Sequence, residues 1–277
     1  MSLILETKIN SGSFGNIYQL SETEVAKVVS IPDGTNYNLL EPILYFTKCP
    51  YLISGNGYHL ESNRYIITMP KANYTLTKAL KYKLKFNPLD VMVQIALGVK
   101  YLHDHNIIHG DIKPSNILIF KSKKNVYVKL SDFGLSYFCF TGRIYTNDAY
   151  TCGFKPPEIF SSQSYSFKSD IWALGQTFKS FEKFNISELQ YLIENMTRKS
   201  ESERWNIHQV LEFLAKTSVS ETRKFDLTHD YLLYNLPIDN MNEKVNIMDR
   251  LCRNFTKPRV ITSETFEHLI NFFRSVF

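Results

Sequence analysis

The chain has 277 residues, with 32 Lys and Arg against 27 Asp and Glu, a formal charge of +5, and it is 44% hydrophobic and 21% charged. This is globular chemistry, which excludes a disordered or collagen-like chain, and the small basic surplus says little about an anionic partner. No stretch approaches the roughly 18 apolar residues of a membrane helix, and Met1 to Lys8 lacks the basic start and long apolar run of a signal peptide, so an intracellular protein of cytoplasm or nucleus is expected.

Taken in chain order, residues 1–70 read as short strands: Leu3–Leu5, Asn16–Tyr18, Val25–Val29 and Tyr65–Met69, punctuated by Gly, Ser, Asp and Asn. Residues 36–47 suit one short helix. From about residue 74 the period becomes helical, with Leu89, Val93, Ala96, Leu97 and Tyr101 recurring at threes and fours. Strand-like runs return at 117–120 and 126–130, and helices are predicted near 169–181, 187–197 and 206–215. The fold class is therefore α+β, a small β-rich part followed by a larger helical one, with a cleft between them as the default site. Cys49, Cys139, Cys152 and Cys252 show no metal-like spacing and are expected to be buried free thiols.

Three features carry chemistry. The run Asn10-Ser11-Gly12-Ser13-Phe14-Gly15-Asn16-Ile17 is a Gly-rich turn between strands, where backbone N–H groups can approach phosphate oxygens. Lys27 follows on a predicted strand, where an ammonium can pair with the phosphates of a nucleotide. Third come His109-Gly110-Asp111-Ile112-Lys113-Pro114-Ser115-Asn116 and Ser131-Asp132-Phe133-Gly134. Asp111 can orient a hydroxyl nucleophile, while Asn116 and Asp132 can hold Mg²⁺ across phosphates, the positioning and charge neutralisation that phosphoryl transfer needs.

With these motifs in place the chain resembles the eukaryotic-type serine/threonine protein kinase family over roughly residues 5–215. The resemblance implies a two-lobed kinase fold. An N-lobe would span 1–70, a C-lobe core 71–215, and a helical extension packed on that lobe 216–277. It implies ATP and Mg²⁺, Asp111 as the catalytic aspartate, Asn116 and Asp132 as metal ligands, and an ion pair between Lys27 and Glu41. It further implies Pro156-Pro157-Glu158 as the end of the activation segment, Asp170 to Gly175 as the buried helix anchoring the catalytic loop, and Arg204 as the partner of Glu158. Lys113 and Thr151 match the residues that mark serine/threonine specificity. Ile17, Ala26 and Leu118 match the apolar residues around adenine, Thr68 the gatekeeper, and Met69 to Ala72, Lys71 among them, the hinge. The run His109 to Asn116 is also similar to the casein-kinase-one and vaccinia-related branch and to compact kinases of large DNA viruses.

Four departures stand out. Asn10 replaces the first loop glycine; Asn tolerates left-handed angles. Gly110 replaces the arginine that usually pairs with an activation-segment phosphate, so activity without phosphorylation of that segment is expected. Pro42 follows Glu41 in a short helix. Only 34 residues separate Asp170 from Arg204, so a helix used for docking substrates is expected to be reduced or missing. Two rival readings are a pseudokinase scaffold and a small-molecule phosphotransferase of the aminoglycoside or choline type. The intact Lys27, Asp111, Asn116 and Asp132 oppose the first, and Asp132-Phe133-Gly134, Thr151, Pro157-Glu158 and Asp170-Ile171-Trp172 the second.

Lys78, Lys81, Lys83 and Lys85 form a basic cluster that would favour acidic or already phosphorylated protein substrates. No basic-aromatic platform for nucleic acid is visible. Beyond residue 216, Ser263 suits a helix cap, and Phe266, Leu269, Ile270, Phe273, Val276 and Phe277 share one face, for packing on the larger lobe or for a homodimer contact.

Overall fold

The structure is a computed structural model that describes residues 7–12, 15–31, 40–61, 63–123, 125–145 and 151–220. The chain divides into two compact units. Among the described residues the first comprises 7–48 and 53–71, and the second comprises 49–52 and 72–220.

The first unit is built on a five-stranded antiparallel sheet. Its strands are β1 (Lys8–Gly12), β2 (Gly15–Gln19), β3 (Glu24–Ser30), β4 (Gly57–Leu60) and β5 (Arg64–Pro70), in the order β1-β2-β3-β5-β4. β-Branched residues in β3 and β5 favour the pleat. On one face Ala26, Val28 and Ile66 form a core cluster with Tyr18 and Leu20 packed against it. Helix α1 (Leu40–Leu44) is a single, fully buried turn. Pro42 is tolerated because it lies in the first turn, where its missing N–H would have no intrahelical partner.

The second unit opens with β6 (Tyr74–Thr75) and α2 (Leu76–Lys81). Helix α3 (Pro88–Asp104) is capped by Asn87, whose Oδ1 accepts from Leu89 N at 3.0 Å, with Pro88 beginning the helix. Strands β7 (Ile107–Ile108), β8 (Ile117–Lys121) and β9 (Val126–Leu130) follow, and β6-β8-β9 form a three-stranded sheet. Gln94 ties α3 to β9, donating to Val126 O at 3.2 Å and accepting from Val128 N at 2.9 Å. Two-residue strands β10 (Tyr137–Phe138) and β11 (Ile144–Tyr145) pair with β7 and with β12 (Ser164–Tyr165). Between β11 and β12 lies α4 (Pro157–Ser162). Helices α5 (Phe167–Phe178), α6 (Leu189–Met196) and α7 (Ile207–Ser220) complete the described unit.

Residues 49–52 belong with this unit rather than with the N-terminal one. Leu52 makes a parallel bridge to Leu130, Leu130 N donates to Tyr51 O at 2.8 Å, and Lys129 Nζ donates to Pro50 O at 2.7 Å. The helix predicted near 206–215 runs on as α7 to Ser220, past the expected boundary after residue 215. The extension beyond it, with its expected packing and dimer contact, lies outside the described residues. The predicted helix near 169–181 ends at Phe178, and a six-residue 3₁₀ stretch, Lys179–Phe184, followed by four further residues, separates α5 from α6. Phe86, Phe178, Phe181 and Phe184 pack edge-on or tilted around that stretch. Cys49 and Cys139 are buried, with burial raising their thiol pKa values to about 12 and about 11. Cys152 is exposed, contrary to expectation.

Candidate active site

In the first unit the focus is Lys27. Side chains alternate along a strand, and residues opposite each other in an antiparallel pair share a face. Lys27 lies opposite Ile67 and Ile17, so Val25, Lys27, Ile17, Tyr65, Ile67 and Met69 share one face. From it Lys27 Nζ reaches Glu41 Oε1 at 2.5 Å, and the Tyr65 hydroxyl donates to Glu41 Oε2, also at 2.5 Å. The lysine ammonium also sits 5.8 Å from the Tyr45 ring centroid. Lys27 and Glu41 are only 4% and 3% exposed, and a pair so deeply desolvated is tolerable because the second carboxylate oxygen is also hydrogen-bonded.

The same alternation places two residues, Ala26 and Thr68, otherwise than expected. Ala26 and Thr68 oppose each other on the other face, where Ala26 belongs to the sheet core and the Thr68 hydroxyl donates to Gly57 O at 3.3 Å. Val25 and Met69, not Ala26 and Thr68, therefore share the face of Lys27. Lys71 spends its backbone N–H on Thr23 O at 2.7 Å and its ammonium on Gln19 Oε1 at 3.0 Å, so its N–H is not available to a base. Counting in twos from Lys27 would have found Val25; matching a motif by residue type did not.

In the Gly-rich hairpin, Asn10 pairs with Ile17 and Gly12 with Gly15. Asn10 is a strand residue and needs no left-handed backbone, so its replacement of glycine costs nothing there. Gly15 does require glycine. Its φ is +130°, and a Cβ would fall 2.8 Å from Val28 O. Ser13 and Phe14 lie outside the described residues.

In the second unit the loop after β7 gathers the remaining groups. Asp111, 5% exposed, is held from three sides. Thr151 Oγ1 donates to its Oδ1 at 2.8 Å, Asn116 Nδ2 to its Oδ2 at 2.8 Å, and Lys113 Nζ lies 2.6 Å from Oδ2. Lys113 Nζ also donates to Thr151 Oγ1 at 2.6 Å, closing a triangle of carboxylate, ammonium and hydroxyl. Asn116 caps this arrangement by donating to Asp111 O at 2.9 Å. Ser131 N and Oγ both donate to Asn116 O at 2.9 Å, so the β8–β9 hairpin brings Asp132 beside Asn116. Asp132 has φ +66°, a conformation rare outside glycine. Leu118 is half-buried on β8, opposite Lys129.

The loop is fixed from below by α5. Asp170 accepts from His109 N at 2.8 Å, Gly110 N at 3.0 Å and His103 Nε2 at 3.0 Å. His109 is buried against Phe133 at 5.6 Å, and its burial holds the imidazole below its ordinary pKa, outweighing the nearby carboxylates of Asp170, Asp111 and Asp132. Gly110 has φ +79°, and a Cβ there would lie 2.2 Å from Leu135 O. Glu158 receives Arg204 NH1 at 2.8 Å and NH2 at 3.0 Å, a two-point grip on a guanidinium that also lies 5.1 Å from the Trp172 ring.

Among the described residues no group of three or more His, Cys, Asp or Glu could hold a metal ion. The donor set at Asn116 and Asp132 suits a hard divalent cation that takes its other oxygens from phosphates. Asn116 commits its amide nitrogen to Asp111, which leaves Oδ1 as the end able to face a cation.

A family model described as the protein kinase domain matches residues 4–182. A probable cell division protein kinase of Encephalitozoon cuniculi is 30% identical over 184 residues, covering 62% of this chain and 68% of that protein. The Aurora kinase of Saccharomyces cerevisiae is 32% identical over 186 residues, covering 62% of this chain and 50% of the relative. The serine/threonine-protein kinase Nek11 of Macaca fascicularis is 30% identical over 196 residues, and there the chain covers 30% of the relative's length.

Proposed function

The chain belongs to the protein kinase domain family, and on that premise we propose that it transfers the γ-phosphoryl group of ATP to serine or threonine hydroxyls of protein substrates. The observation that carries this reading is the Asp111–Lys113–Thr151 triangle. A carboxylate, an ammonium and a hydroxyl are locked together at 2.6–2.8 Å beside an amide and a second carboxylate.

In this reading Asp111 orients the acceptor hydroxyl. The hydroxyl oxygen bonds to the γ-phosphorus as the bond to the β-phosphate bridging oxygen breaks, and Asp111 accepts the released proton. Lys113 faces the charge on the transferring group. Lys27, positioned by Glu41 and Tyr65, pairs with the phosphates under the Gly12–Gly15 hairpin. Val25, Ile17 and Met69 supply the apolar surface for the base. Asn116 and Asp132 would hold Mg²⁺, which neutralises phosphate charge when bound. Gly110 leaves the catalytic loop without an arginine for an activation-segment phosphate, which supports activity without that modification. Lys78, Lys81, Lys83 and Lys85 are all exposed, which supports a preference for acidic or phosphorylated substrates.

The test is transfer from radiolabelled MgATP to casein, myelin basic protein and histones, with Asp132→Asn alongside and phosphoamino-acid analysis of the products. Phosphoserine or phosphothreonine made by the wild type and not by the variant supports the reading. Intact ATP binding without transfer to any protein would overturn it in favour of a scaffold.

A further inference from the structure

The stretch from Phe133 to Tyr150 contains one cation, Arg143. It sits in the turn before β11, where the Thr141 hydroxyl donates to its carbonyl at 2.9 Å. Its guanidinium reaches out of the segment in two directions. NH2 donates to Glu201 Oε2 at 2.5 Å, and NH1 donates to Ser164 Oγ at 3.0 Å on β12, the strand paired with β11. Glu201 does not depend on Arg143 alone, since the Ser166 hydroxyl donates to its other oxygen, Oε1. The carboxylate is half-buried. Burial pushes its pKa up, and the hydrogen bonds from Ser166 and Arg143 outweigh this and hold it below the ordinary value. Arg143 is correspondingly held above its own ordinary value, chiefly by its hydrogen bond to Glu201.

Glu201 and Arg204 belong to the same loop ahead of α7. That loop therefore grips the activation segment twice: Arg204 on Glu158 at its end, and Glu201 on Arg143 in its middle. The polarity of the second grip is the reverse of the arrangement that Gly110 has lost. There a catalytic-loop cation holds a phosphate on the segment; here a segment cation is held by a carboxylate of the scaffold.

We propose that Arg143 and Glu201 are positioning residues that hold the activation segment in its substrate-accepting course without phosphorylation. This rests on the reading of the chain as a kinase that needs no activation-segment phosphate. Neither residue touches the reacting groups. Both act through β11 and its pairing with β12, which packs into the cluster of Ile108, Cys139, Ile159 and Tyr165 beneath the catalytic loop.

The experiment uses the full chain, treated with phosphatase and verified by intact mass. Arg143→Met, Glu201→Gln, the exchange Arg143→Glu with Glu201→Arg, and Lys216→Met as a remote surface control are compared. Each single variant is expected to lose about tenfold in kcat/KM for a peptide substrate while KM for ATP stays unchanged. Hydrogen exchange across 137–145 should quicken in both, and the exchanged pair should recover much of the activity and the protection. Single variants with wild-type activity, in an enzyme that is active when phosphate-free, overturn the positioning role alone. So does loss of activity without recovery in the exchange. An enzyme inactive until phosphorylated overturns the parent reading, and this proposal with it.

Discussion

Lys27 and Glu41 form a buried ion pair, Nζ to Oε1 at 2.5 Å, across 14 positions of sequence. Removing one member leaves a desolvated charge short of its main partner, which typically costs about 3–5 kcal/mol, whereas replacing both with apolar residues of similar size costs much less. Glu41→Ala is therefore expected to be strongly destabilised in urea unfolding. Lys27→Met combined with Glu41→Leu should be more stable than Glu41→Ala, while lacking phosphoryl transfer. A double variant as unstable as the sum of its parts would contradict the pairing energetics.

Thr151 bridges Asp111 and Lys113 through a single hydroxyl. Thr151→Ser keeps that oxygen and should retain most of kcat. Thr151→Ala leaves Asp111 and Lys113 paired at 2.6 Å but removes the hydroxyl that fixes their orientation, and should lower kcat by about tenfold, with KM for ATP little changed. Asp111→Asn removes the proposed proton acceptor, and a loss of about 10²- to 10⁴-fold in kcat is expected. Steady-state kinetics on one peptide substrate separates the three.

The face assignment in β5 is testable with one pair of substitutions. Met69 shares the face of Lys27, and Thr68 points the other way toward Gly57 O. Met69→Ala should shift KM for ATP by about threefold or more, through lost apolar contact with the base. Thr68→Ala should leave it within about twofold and cost about 1 kcal/mol of stability for the lost hydrogen bond. The opposite pattern would restore Thr68 to the base-facing position.

His109 sets a pH dependence. Its burial holds the folded-state pKa below the ordinary 6.5, so below that pH the unfolded chain binds protons that the folded chain refuses. Stability is thus flat with respect to this group above 6.5 and falls as pH drops below it. In His109→Asn, Oδ1 can still accept the Asp111 N–H that Nδ1 accepts at 3.2 Å, without titrating. Urea unfolding at about pH 7.5 and about pH 5.5 should show the wild type losing on the order of 1 kcal/mol more than the variant over that interval.

The catalytic loop was readable because its chemistry is compressed into eight consecutive residues, His109 to Asn116, whose spacing alone restricts their use. Glu41 was readable only through resemblance, since a single buried turn containing Pro42 has too few residues to show a period. Strand β4, Gly-Tyr-His-Leu, went unseen because glycine and histidine dilute any alternation. Ala26 and Thr68 fall on the face opposite Lys27, which went unseen because residue type, not strand phase, was followed, and a one-residue slip moves a side chain to the opposite face. The Arg143–Glu201 contact joins two residues 58 positions apart that no local pattern connects.

The geometry at Gly110 also constrains how this loop can change. Any side chain there would begin with a Cβ 2.2 Å from the Leu135 carbonyl oxygen, at a φ that non-glycine residues rarely adopt. An arginine could not be reinstated by one substitution, because the carbonyl would first have to move, and Leu135 leads directly into Ser136, whose hydroxyl donates to His109 O at 3.0 Å. The obstacle to any side chain at this position is the path of the backbone, and accommodating one would require the loops around Gly110 and Leu135 to shift together.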